Sequence, residues 1–170
     1  MDGRRKPGDH HGQFGQNLLF SLLVTALGLV TNVFHTVVDR MALSLGREAT
    51  AAGLLISVYA LGSLSSVVLS SALADRIGKR RVILAALAVM SLGFFVLSVK
   101  GSYGLLLAGL YLYGFGFGPS EGMASAVLTD QNPRQASLWM NVAQAGFGVG
   151  AIIGPMAAMA YVLSRGEHQG

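Results

Sequence analysis

Five long apolar stretches, about residues 18–38, 51–74, 82–99, 105–128 and 136–163, occupy most of this chain. At 1.5 Å of helix rise per residue, each reaches across a hydrocarbon core of about 30 Å. Lipid offers no partner to an open backbone amide, so runs of this kind cross as helices. The expectation is an all-α protein, a polytopic transmembrane helix bundle. Five membrane helices lie within residues 17–163, between a polar tail over 1–16 and another over 164–170.

The way polarity is distributed excludes several other classes. Charged residues make up 12% of the chain, against about 25% in an average soluble domain. The apolar residues are blocked together rather than scattered at helical spacing among Lys and Glu, which argues against a soluble core. There are no cysteines, so disulfides and thiolate metal sites drop out. His10 and His11 read as tail residues, because no other ligand spacing accompanies them. No nucleophile, base and orienting group cluster together, so neither an enzyme nor a cofactor is expected.

The formal charge of +4 reports orientation rather than nucleic-acid binding. If the amino terminus is cytoplasmic, the inner side carries Arg4, Arg5, Lys6, Arg76, Lys79, Arg80, Arg81 and Arg134. The outer side carries only Arg40, Arg47, Lys100 and Arg165. The positive-inside rule favours that arrangement, in the plasma (cytoplasmic) membrane. A basic segment ahead of an apolar run also fits a signal peptide. The first run is longer than such an h-region, ends at Asp39-Arg40 without a small-residue cleavage site, and is followed by four more spans. A retained first helix is the better reading, with Asp39 and Arg40 marking its outer end.

The spans differ in what they carry. The third, VILAALAVMSLGFFVLSV, has nothing more polar than Ser91 and Ser98, as expected of a helix facing lipid. The first holds Thr25, Asn32 and His35, the fourth Glu121 and Thr129, and the fifth Asn141 and Gln144. Polar groups at membrane depth face a bundle interior or a watered cavity, so helices one, four and five are expected to line something wet. Asn141 and Gln144 are three apart and share a helix face, as do Asn32 and His35. Either pair suits a polar solute, and either suits helix-to-helix hydrogen bonding. Glycines four apart, in Gly114, Gly118 and Gly122 and again in Gly146, Gly150 and Gly154, permit close helix approach. Left facing lipid, such faces would favour a partner. The run GFGFGPSEG is not a dinucleotide loop, since no βαβ unit surrounds it.

The segment after the second span, Ser71-Ala-Leu-Ala-Asp75-Arg76-Ile-Gly78-Lys79-Arg80-Arg81, is the most specific local signal. Gly78 tolerates positive φ, Asp75 offers an acceptor at a helix boundary, and four cations anchor the turn at the membrane face. This segment resembles the G-x-L-A-D-R-x-G-R-K motif between helices two and three of the major facilitator superfamily. Gly150-Ala-Ile-Ile-Gly154-Pro155 is similar to the G-x-x-x-G-P element of that family's fifth helix, most often discussed for antiporters, drug antiporters among them, but present in symporters too, so the direction of transport stays open. There Pro155 removes a backbone donor and bends the helix. The stretch from Gly114 to Pro155 looks like sugar and fucose permease relatives, with Glu121 and Asn141 at matching positions. Two positions depart from the pattern: Ser71 stands for the usual Gly, and Leu110 for an Arg that many proton-linked members carry.

The resemblance implies the incomplete amino-terminal bundle of a major facilitator fold, helices one to five. The sixth helix and the second bundle would be supplied by a missing half or by self-association. It implies proton-linked movement of a small polar solute by alternating access. Glu121 is then the proton-coupling candidate, because a carboxylate in an apolar span costs several kcal/mol and so is suited to taking up and releasing a proton. In the competing reading Glu121 sits shallowly, near the cytoplasmic end with Asp130, or pairs with a cation in a missing part of the fold. Asn141, Gln144, Asn32 and His35 are the candidates for solute binding.

Overall fold

The computed structural model describes residues 10–44, 50–99 and 102–166. The expectations for residues 1–9 and 167–170, and for Arg4, Arg5, Lys6, Arg47 and Lys100, lie outside the described residues. Five helices follow one another: α1 His10–Ser44, α2 Thr50–Ile77, α3 Lys79–Ser98, α4 Tyr103–Gln131 and α5 Ala136–Gly166. There is no strand among the described residues.

Gly78 alone separates α2 from α3. Its φ is 87° and its ψ 146°, the one positive φ among the described residues. A side chain would be strained in that region, and glycine is not. The reversal keeps Asp75, Arg76 and the cations of Lys79–Arg81 at the end of the bundle where α1 begins and α4 gives way to α5. Asp75 and Arg76 are exposed.

Packing follows chain order closely only where α3 meets α4. α1 lies mainly on α5, while α2 and α3 lie mainly on α4; α1 with α2, and α2 with α3, touch only lightly. α4 meets all four other helices. Tyr113, Leu110, Leu128 and Ala124 of α4 are essentially inaccessible. They join two apolar clusters, one with Leu55, Met90 and Leu97, the other with Phe20, Val24 and Ile83.

α1, α2, α3 and α5 are long and apolar enough to cross a membrane. α4 is not among these four. Its run of glycines, Pro119, Glu121 and Asp130 dilute its hydropathy, and the enclosing helices give it less lipid to meet. α3 does not simply face lipid. Val82, Ile83, Ala86, Met90, Gly93 and Leu97 form a buried stripe on α4, and Leu84, Leu92 and Phe95 are exposed.

The glycine faces turn inward, which corrects the expectation that they wait for a partner in lipid. A Cβ built on Gly150 would lie 2.5 Å from the Thr25 carbonyl oxygen and 2.6 Å from the Leu29 nitrogen, both in α1. Gly154 meets Leu29 in the same seam, and Gly114 and Gly118 meet Tyr59 and Ser63 of α2. Only the surroundings of Gly122 and Gly148, among the glycines of those two runs, are open.

Candidate functional site

Tyr113, Phe117 and Glu121 follow one another at four-residue spacing on α4 and so share one side of that helix. At the level of Glu121, α5 brings Gln144 alongside, and the Gln144 Nε2 donates to Glu121 Oε1 at 3.0 Å. Glu121 is half-buried and Gln144 exposed. Two residues named separately in the sequence thus form one pair across a helix seam. Glu121 does not sit with Asp130, which pairs with Lys79 at the loop end.

One turn further, rings connect the helices. His35 of α1 meets Tyr59 of α2 edge-on at 5.2 Å and 86°. Tyr59 lies 5.8 Å from Phe117, and Phe117 lies 6.5 Å from Phe147 of α5. Tyr59 also stacks on Tyr113, whose hydroxyl shares a 2.8 Å hydrogen bond with Thr31 Oγ1 inside the bundle. A carboxyl, one amide and an aromatic ladder therefore occupy adjoining turns of α1, α2, α4 and α5. Such a surface can hydrogen-bond a solute and stack on its apolar faces.

The remaining candidates are placed less centrally. Asn32 donates to its own helix, to the Gly28 carbonyl at 2.8 Å, and its backbone carbonyl accepts from Thr36. That spends one of its two amide protons locally. Asn141 is exposed, one turn from Gln144. Gly150 and Gly154 are packing positions, and Pro155 lies inside a continuous α5. Leu110 is 1% exposed and belongs to the apolar core, so no charge occupies that point. Among the described residues, no grouping of three or more His, Asp or Glu could hold a metal ion.

The loop end carries a second polar assembly. Asn17 and Asn132 exchange two amide hydrogen bonds of 2.8 Å. Gln13 donates to the Gln131 carbonyl, Arg80 donates to Gln16 Oε1 at 2.8 Å, and Gln131 reaches the same oxygen at 3.1 Å. These contacts tie α1, α3 and the α4–α5 connection together. They also explain why α1 runs eight residues ahead of the apolar stretch that announces it.

Sequence reasoning missed Tyr59, Phe117, Phe147, Thr31 and Tyr113. The available signal was the alternation of Phe with Gly in Gly114–Gly118 and Gly146–Gly148: where glycines fill the seam, the rings between them must point elsewhere. Gln13, Gln16, Asn17 and Asn132 were passed over as tail and loop.

A family model described as Major Facilitator Superfamily matches residues 18–166. The uncharacterized transporter YycB of Bacillus subtilis (strain 168) is 31% identical over 76% of this chain and 34% of its own. The inner membrane transport protein YajR of Escherichia coli (strain K12) is 28% identical over 91% of this chain and 34% of its own. The class B tetracycline resistance protein of Escherichia coli is 29% identical over 82% of this chain and 35% of its own. The chain spans about a third of the length of these relatives. No solved structure matches it.

Proposed function

Because this chain belongs to the Major Facilitator Superfamily, we propose that it forms the amino-terminal part of a secondary transporter that moves a small polar solute by alternating access. It is a multi-pass membrane protein. In this reading α4 crosses the bilayer with the other four helices, its polar residues covered by them. The amino terminus is cytoplasmic in the plasma membrane, a reading supported by the positive-inside count and by the gathering of Arg76, Lys79–Arg81 and Arg134 at the end where α1 starts.

The observation that carries the proposal is the Glu121–Gln144 pair at 3.0 Å. A carboxyl at mid-helix, half out of the protein interior and held by a neutral amide rather than by a cation, keeps a proton-binding group available. Protonation alters that hydrogen bond, because a carboxylate only accepts and a carboxylic acid also donates. Solute binding and proton binding can then compete for, or cooperate through, the same amide. Asn141, Asn32 and His35 complete the polar rim, and Tyr59, Phe117 and Phe147 the apolar floor.

The test is proton flux driven by solute in proteoliposomes, screened over sugars and tetracyclines. Glu121→Gln is expected to abolish coupled flux with insertion unchanged, and Gln144→Leu to shift the solute concentration dependence. Coupling that survives Glu121→Gln removes this residue from the mechanism.

A second reading makes the chain an interaction module in the bilayer that works with another helical body, a missing half or a second copy. It is favoured by the exposed apolar rows of α2 (Leu61, Leu64, Val68) and α5 (Ile152, Ile153, Met156). Co-purification of a partner, with no flux by the chain alone, would support it.

A further inference from the structure

We propose that the cavity between the α2–α3 joint and the last turn of α4 holds the phosphate of an anionic phospholipid headgroup. The cavity measures about 520 Å³, inside the range of about 300–1,000 Å³ usual for small-ligand sites. Lys79, Arg80 and Arg81 line one wall, Asp130 and Gln131 the other, and Val127 supplies apolar surface.

Its charges do not cancel. Asp130 is committed to Lys79. Arg80 donates to Gln16, a neutral amide, and keeps its full charge. Arg81 is exposed and has no hydrogen-bond or ion-pair partner among the described residues. Among the described residues, two guanidinium groups are therefore left over at one opening, and the planar fork of each matches a phosphate's paired oxygens. The first turn of α3 holds no acidic residue, so nothing on that helix opposes an anion.

Position selects the lipid as the source. The apolar spans Gly53–Ile77 and Lys79–Ser98 meet at this cavity, so it opens at headgroup depth. Basic pockets at that depth between membrane helices suit anionic headgroups, each cation near such a surface contributing about five-fold in binding. The site requires only the membrane-embedded bundle and stands whether or not Glu121 couples protons.

The experiment uses the protein as expressed, exchanged into nanodiscs of equal phosphatidylglycerol and phosphatidylcholine, with bound lipid counted by native mass spectrometry. Phosphatidylglycerol should be retained in preference. Arg80→Gln and Arg81→Gln should each lower that preference about five-fold, and Arg81→Lys should lower it less. Arg134→Gln, which removes an exposed cation of the same end outside the cavity, should leave it unchanged. Helical circular dichroism in phosphatidylcholine alone checks that each variant is folded. Equal retention of the two lipids, or a preference unmoved in the Arg80→Gln, Arg81→Gln double variant, overturns the site. Displacement of phosphatidylglycerol by micromolar inorganic phosphate overturns the lipid assignment in favour of a free anion.

Discussion

Replacing Gly150 by alanine adds one methyl group where α1 and α5 approach backbone to backbone. Its carbon would stand 2.5 Å from the Thr25 carbonyl oxygen and 2.6 Å from the Leu29 nitrogen. Close carbon–oxygen contacts in proteins settle at about 3.3–3.6 Å, so the helices must separate by roughly 1 Å. Both opposing atoms are backbone and cannot rotate away. Overpacking of this kind costs about 1–3 kcal/mol. Against it stands the intrinsic preference of a helix for alanine over glycine, about 1 kcal/mol. Gly148→Ala gives that gain alone, because nothing lies within 4 Å of the added carbon. The difference between the two variants should therefore be about 1–3 kcal/mol, with Gly150→Ala the less stable. Unfolding in mixed dodecylmaltoside and dodecyl sulfate micelles measures it. The fluorescence of Trp139, the only tryptophan, is a local probe, since its ring meets Phe14 of α1 edge-on at 5.9 Å. Equal stability of the two variants would refute the claim that α1 and α5 touch through backbone at Gly150.

Three further outcomes follow from other contacts. Asn17 is 2% exposed, so Asn17→Ala should cost about 1–3 kcal/mol through the Asn132 Oδ1 left without its donor, read as a lowered thermal midpoint. Tyr113→Phe should cost about 1 kcal/mol by orphaning Thr31, and adding Thr31→Val should recover much of it; strict additivity in that double-mutant cycle would deny the bond. Gly78→Ala should cost about 1–3 kcal/mol and increase proteolysis between α2 and α3, and an unchanged cleavage rate would argue that the joint relaxes.

How much of this was legible depends on which residues lie far apart. The five apolar runs announce their helices because crossing a bilayer is a matter of local length. Gly78 could be read as a turn because its demand on the backbone is its own. The pairing of Glu121 with Gln144 could not be read, since it needs the register of α5 on α4, which is set by where Gly146 and Gly150 let α1 approach. Glycine spacing foretold close packing but not its direction: the same pattern serves a lipid-facing partner or an internal neighbour. The Asn17–Asn132 exchange was invisible for a simpler reason. Each asparagine alone resembles an ordinary interfacial residue, and only the folded chain sets them face to face.

The light contact of α1 with α2, and of α2 with α3, has a consequence for biogenesis. Asn17 and Asn132 are 115 positions apart. At about 5–20 residues per second of synthesis, α1 waits roughly 6–23 s before its partner asparagine exists, and longer before α5 covers its glycine seam. During that interval α1 and α2 lie in the bilayer as separate rods, open to insertase, to chaperone and to degradation. The commitment of the newborn chain to its fold therefore comes late, with the arrival of α4 and α5.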